Sequence, residues 1–232
     1  ADGALGSRGA ALLAPYSDQP DSSGLLLTAP EALAAKVRLA HDAGFQVAIH
    51  AIGDRGNRVA LDALEALGPN DRRHRIEHAQ VVDPADIPRF AALGITASMQ
   101  PTHATSDMPW APDRLGPDRL DGAYAWRRML DAGVPLAFGS DAPVEEHAPR
   151  LGLYAAVTRQ DADGEPSGGW LPDQVLSIDE ALVAFSAGAA WAVHDDGGVL
   201  RVGARADLTL FDRDPRAVAP RGGGAFVCWG VS

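Results

Sequence analysis

The sequence predicts an α/β fold built on a parallel sheet, and two observations carry the prediction. Four times over, an amphipathic stretch closed by glycine leads directly into a short apolar run. Three of the runs end in residues suited to chemistry: Gln46-Val-Ala-Ile-His50, His74-Arg-Ile-Glu-His78 and Leu136-Ala-Phe-Gly-Ser-Asp141. Helices alternating with strands imply parallel strands joined by right-handed crossovers. The chemistry-bearing residues then stand at C-terminal strand ends, where α/β barrels keep theirs.

In chain order, residues 1–24 are rich in Gly, Ala, Pro and Ser and read as loop, with Asp2-Gly3 following the end of a strand. Thr28-Ala-Pro-Glu31 has the form of a capping box with an early proline. It opens a helix whose apolar side is Leu33, Val37, Leu39 and Ala40, closed by Gly44. The strand 45–50 follows. Asp54 is a candidate cap for a helix through Val59, Leu61, Leu64 and Leu67, closed by Gly68, and the strand 74–78 comes next. Asp83-Pro84 opens a third helix, closed by Gly94 before the strand 95–99. A long proline-containing loop is expected from Gln100 to about Asp121, then a helix over 123–131 stopped by Gly133, then the strand 134–139. Beyond Asp141 the pattern predicts a helix over 150–159, a flexible loop over 164–172 and a second capping box, Ser177-Ile-Asp-Glu180, opening a helix through Trp191. Residues 198–200, 207–211 and 226–231 read as strands of a small accessory sheet. The division expected is 1–195 for the βα units and 196–232 for the β part.

The 232 residues carry a formal charge of −11 with no charged tail. That argues against nucleic acid and anionic membrane surfaces as partners and leaves a small-molecule substrate. Cys228 is the single cysteine, which excludes an internal disulfide and a Cys-based zinc site and fits a cytoplasmic location. No run is long enough to span a bilayer, and the first residues lack the form of a signal peptide. A start at alanine reads as a piece of a longer protein. Lys36 is the single lysine among the 20 Lys and Arg residues, so it alone could serve as a lysine ligand.

Two imidazoles and a carboxylate at equivalent strand ends suit a divalent ion, zinc above others. His50, His78 and Asp141 are therefore the candidate metal ligands, and Asp141 also the candidate proton carrier. Strand alternation turns Glu77 away from His78 and toward an ion pair with Arg73 or Arg75. Gln100 and His103 follow the next strand and are candidate substrate-binding residues. His147 is expected to be exposed, His41, His74 and His194 structural, and Trp126 in the core. Gly53-Asp-Arg-Gly56 lacks the spacing of either common phosphate loop. No Gly-x-Ser-x-Gly elbow of a serine hydrolase is found.

A series of motifs resembles the amidohydrolase superfamily, in its family-3 branch with N-substituted formamide deformylase-like enzymes. They are Asp2-Gly-Ala-Leu-Gly-Ser-Arg8, Pro15-Tyr16, His50-Ala-Ile-Gly-Asp54, Arg75-Ile-Glu-His-Ala-Gln80, Met99-Gln-Pro-Thr-His103, Phe138-Gly-Ser-Asp-Ala-Pro-Val144 and Gly203-Ala-Arg-Ala-Asp-Leu208. The resemblance implies a TIM-like metal-dependent (β/α)8 barrel, of which this chain holds the C-terminal half, about strands 5–8, with part of a small β-sandwich. It implies hydrolysis of a non-peptide C–N bond, with one or two metal ions bound through His50 and His78 and with Asp141 at the metal or its water. The chain departs from the pattern in having no His-x-His pair, and Lys36 falls on a helix rather than a strand. Half a barrel leaves sheet edges open, so self-association as a homo-oligomer is expected. A non-catalytic binding or assembly module on the same scaffold is the alternative reading.

Overall fold

The structure is a computed structural model that describes residues 1–217 and 228–231. The elements in chain order are α1 (Pro30–Asp42), β1 (Ala48–Ala51), α2 (Asp54–Glu65), β2 (Arg75–His78), α3 (Ile87–Ala92), β3 (Thr96–Met99), α4 (Pro101–Asp107), α5 (Ala111–Leu115), α6 (Trp126–Asp131), β4 (Leu136–Phe138), α7 (Pro149–Thr158), α8 (Ile178–Val183), α9 (Ala189–Ala192), β5 (Leu208–Phe211) and β6 (Cys228–Val231). The chain forms two compact units, one of residues 1–99 and 109–135, the other of 100–108 and 136–232.

In the first unit β1, β2 and β3 lie side by side and parallel, in chain order, as the alternation predicts. Ile49 pairs with Ile76 and Ile76 with Ala97, a buried row on one face of the sheet. Leu61 and Leu64 of α2, Phe90 of α3 and Trp126 and Met129 of α6 are buried as well. Burying side chains of this size stabilises by about 1.5–3 kcal/mol each. Each of Gly44, Gly68, Gly94 and Gly133 has a positive φ at its helix end, the left-handed turn that the punctuation of the sequence calls for.

The capping expectations divide. Ser177 accepts from the Glu180 N–H while the Glu180 carboxylate accepts from Ser177, so the second box is formed. The first is not. Ala29 stands at the cap of α1, without a side-chain hydrogen bond. Asp54 is the first residue of α2 rather than its cap, and its carboxylate receives the N–H groups of Leu13 and Arg55. The stretch 100–121 is not a plain loop. Pro101, Pro112 and Pro117 sit at helix starts, where a missing N–H costs nothing, and open α4, α5 and a 3-10 turn, Pro117–Gly122.

In the second unit α4 packs on α7 and α7 on α8. The helix expected through Trp191 is interrupted by a π-helical turn, Ala184–Gly188, which packs against β4. There Phe185 stacks edge-on with Phe138, ring centroids 5.5 Å apart. A Cβ on Gly188 would lie 2.1 Å from the Leu136 carbonyl oxygen, so only glycine allows this approach. β5 and β6 pair antiparallel. Residues 198–200 form a bend instead of a strand, and residues 226 and 227 of the expected last strand lie outside the described residues. Among the described residues no helix is long and apolar enough to cross a membrane.

Candidate functional site

The first unit brings His50 and His78 together. Their rings meet edge to face with centroids 4.6 Å apart. Regular pairing alone would not do this. In the β1–β2 register His50 lies opposite Glu77, and Ala51 opposite His78. Alternation therefore gives His50 and Glu77 one face of the sheet and His78 the other. The backbone breaks that rule where β2 ends, with φ of +74° at His78 and +43° at Ala79. Two successive non-glycine residues in this region cost on the order of 1–3 kcal/mol each. The turn re-aims the His78 ring toward His50. Glu77 pairs with Arg75, the second of the two arginines expected for it, and Arg75 also reaches Gln46.

A carboxylate that sequence reasoning passed over completes this cluster. Asp2 is 2% exposed. Its Oδ2 accepts from Ala11 N–H at 2.9 Å and Gly53 N–H at 2.8 Å, and its Oδ1 from Ile52 N–H at 2.9 Å. The same Oδ1 stands 3.5 Å from His50 Nδ1. The glycines of Gly53-Asp-Arg-Gly56 make room for this arrangement. A Cβ on Gly56 would lie 2.4 Å from Asp2 Oδ2, and one on Gly53 2.0 Å from the Ala11 oxygen. The available signal was an acidic residue at the start of a glycine-rich loop, beside a second Gly-x-x-Gly stretch with no phosphate-loop spacing.

The donor chemistry of this half-site fits a divalent metal. Zinc–nitrogen bonds of about 2.1 Å allow two ligand nitrogens to stand up to about 4.2 Å apart. The two rings, with centroids 4.6 Å apart, are near enough neighbours for both to approach one ion. His50 and His78 are the residues of this unit that would hold the ion.

The second unit brings His103 and Asp141 together. Gln100 is the N-terminal cap residue of α4, and its carbonyl accepts the His103 N–H at 3.0 Å. That turn presents His103, largely buried, with Nε2 3.8 Å from Asp141 Oδ2. Asp141 is held at φ +58°, in the same left-handed region as His78. Its carboxylate is 39% exposed and so open to a reacting molecule. Thr102, also missed, is 8% exposed, and its hydroxyl has no hydrogen-bond partner among the described residues. It lines two adjoining cavities. One, of about 150 Å³, is bordered by Ser140, Glu146, His147 and Phe185. The other, of about 300 Å³, is bordered by Ser106, Tyr154, Gln160 and Asp161.

The remaining candidates behave as expected from sequence. His147 is exposed. Trp126 is fully buried. His74 is buried in the first unit against His41. Lys36 lies in α1.

A model of the Amidohydrolase family matches residues 1–221. YtcJ of Bacillus subtilis (strain 168) is 38% identical over 95% of the chain, which corresponds to 42% of YtcJ. N-substituted formamide deformylase of Arthrobacter pascens is 32% identical over 74% of the chain and 32% of its own length. Among solved structures, an uncharacterized metal-dependent hydrolase from Pyrococcus horikoshii OT3 superposes with a TM-score of 0.83 at 37% identity. The match covers 94% of this chain and 44% of that one. The chain thus spans less than half the length of these relatives, and the likeness places its fold among metal-dependent hydrolases.

Proposed function

The chain belongs to the amidohydrolase family, and from that premise we propose that it forms part of a metal-dependent hydrolase that cleaves a non-peptide C–N bond, of an amide or N-substituted formamide. The observation that carries the reading is the His50–His78 pair, assembled at two strand mouths by a backbone turn that regular pairing would not make. A strained conformation that aims an imidazole at another imidazole has no packing purpose that an apolar residue would not serve better. The substrate class takes its support from the similarity to the Arthrobacter pascens deformylase.

In this mechanism His50 and His78 would hold the metal, and Asp141 is the proposed proton carrier. A bound zinc or similar ion supplies a water of lowered pKa and polarises the scissile carbonyl. Asp141 takes the proton of the attacking water and passes it to the leaving nitrogen, which departs as the amine. His103, with Nε2 3.8 Å from the Asp141 carboxylate, stands ready to bind a substrate oxygen there. Gln100 and Thr102 flank His103 and bind the polar part of the substrate.

The test is metal content by plasma mass spectrometry on the purified chain, beside a His50→Ala/His78→Ala double variant. Near-stoichiometric metal in the wild type and its loss in the variant are expected. Equal, negligible metal in both would refute the half-site and favour the non-catalytic module.

A further inference from the structure

The Asp2 carboxylate has more to do than close a loop. Three backbone N–H groups already bind it, from Ala11, Ile52 and Gly53, all at 2.8–2.9 Å. Those bonds fix both of its oxygens within a fully buried side chain. The remaining neighbour is His50 Nδ1, at 3.5 Å from Oδ1, the outer edge of hydrogen-bond length. A bare ring nitrogen facing a carboxylate oxygen would set two lone pairs against each other. A ring nitrogen carrying hydrogen makes the contact attractive. The geometry points to one tautomer of His50, with the proton on Nδ1 and the lone pair on Nε2.

We propose that Asp2 is a positioning residue for metal binding: it fixes the His50 tautomer and ring orientation so that Nε2 is the ligating atom. This rests on the metal reading above and adds to it the ligand atom and the residue that selects it. Histidines that ligate metals donate their other N–H to a carboxylate or carbonyl, and removing that partner weakens metal affinity 10–100-fold. The surrounding sequence fits the role. Gly56 leaves space for the carboxylate, and Gly53 lets the Ala11 backbone close over it. The His50 side chain is 42% exposed, so the ring faces outward while its back is held by a buried anchor.

Two measurements on the whole chain test the proposal. The first is the ring tautomer of His50 in the metal-free protein, from long-range proton–nitrogen correlations in 15N-labelled chain, the signal being assigned by its loss in His50→Ala. Nδ1–H is expected, and Nε2–H would overturn the proposal without any variant having to fold. The second is zinc affinity by competition with a chromophoric chelator for wild type, Asp2→Asn and Tyr16→Phe. Tyr16 donates from its hydroxyl to the Ala10 carbonyl at 2.7 Å in the same loop, without touching His50. The expected result is 10–100-fold weaker zinc binding in Asp2→Asn and binding within about twofold of wild type in Tyr16→Phe. Equal losses in both variants would reduce Asp2 to a loop anchor and overturn the proposal. Absence of zinc binding by the wild type, with the Nδ1–H tautomer present, would overturn the metal reading rather than the Asp2–His50 contact.

Discussion

His74 makes the stability of the first unit depend on pH in a window that can be stated in advance. The ring is 2% exposed. Its Nδ1 accepts the Val47 N–H at 3.0 Å, and its Nε2 stands 3.1 Å from His41 Nδ1. With Nδ1 accepting, Nε2 carries the hydrogen and donates to His41, so the folded ring is neutral. A second proton would have to break the Val47 bond and charge a buried ring. Burial, with His41 and Arg72 adding repulsion, lowers the pKa from 6.5 to about 4. Above pH 6.5 the ring is neutral in both states and contributes no pH dependence. Between 6.5 and 4 the unfolded chain binds a proton that the folded chain refuses, so stability falls as pH falls. At about 1.4 kcal/mol for each pKa unit, the loss reaches about 2 kcal/mol by pH 5 and about 3 kcal/mol near pH 4. The interval from pH 7 to 5 is the informative one, because ordinary carboxylates remain ionised there. The perturbation is His74→Asn, whose side-chain oxygen can keep the Val47 bond while removing the titration. The assay is urea unfolding at several pH values, followed by hydrogen exchange in peptides from β1 and β2, which reads this unit by itself. Wild type should lose about 2 kcal/mol more than His74→Asn between pH 7 and pH 5. Parallel losses in the two chains would refute the reasoning.

Three further substitutions probe the loop around Asp2 and the two capping boxes. Gly53→Ala places a Cβ 2.0 Å from the Ala11 carbonyl oxygen, backbone against backbone, so it should cost at least about 1–3 kcal/mol in urea unfolding; a neutral outcome would mean that the loop 2–11 is not held as described. Ser177→Ala removes a formed capping box and should cost about 1 kcal/mol, whereas Thr28→Ala, where the box is not formed, should stay within about 0.5 kcal/mol by the same assay.

The contrast between the two capping boxes shows what a sequence pattern carries. Both have a hydroxyl residue, an acidic residue three positions on and an apolar run behind it. They differ in the residue that follows the cap. Pro30, two residues after Thr28, is itself the first residue of α1, so the cap falls on Ala29 and the Thr28–Glu31 spacing is out of step by one. The βα alternation was legible for a sturdier reason: apolar period and glycine punctuation are repeated in every unit, and an error of one residue at one end does not alter the order of strands. The same tolerance fails in the stretch 100–121, where a proline-containing loop is expected although Pro101, Pro112 and Pro117 open helical turns. It fails at Asp54 as well, because the backbone that claims this carboxylate comes from Leu13, 41 residues away.

At the site, residue type was legible and conformation was not. Histidines at two strand ends could be named from sequence. Their meeting depends on a left-handed turn at His78 and Ala79, a conformation uncommon for any residue but glycine. Asp2 was illegible for the complementary reason. The glycine-rich loop behind it marks a turn and not a role, and its partners lie 9 to 51 residues away. The two cases share a physical cause. Side chains at strand mouths are placed by loops that close over long separations, so the chemistry follows the loops while the strands follow the local pattern. Aromatic burial reads the other way: Trp126 sits in a short helix packed from α3, and its place in the core needed no knowledge of any loop. A substitution at His78 should therefore behave unlike one at a helix position. His78→Gly, which relieves the left-handed backbone while removing the imidazole, would leave stability near or above that of wild type and abolish metal uptake. A large destabilisation without change in metal content would mean that the turn serves folding and that its aim toward His50 is incidental.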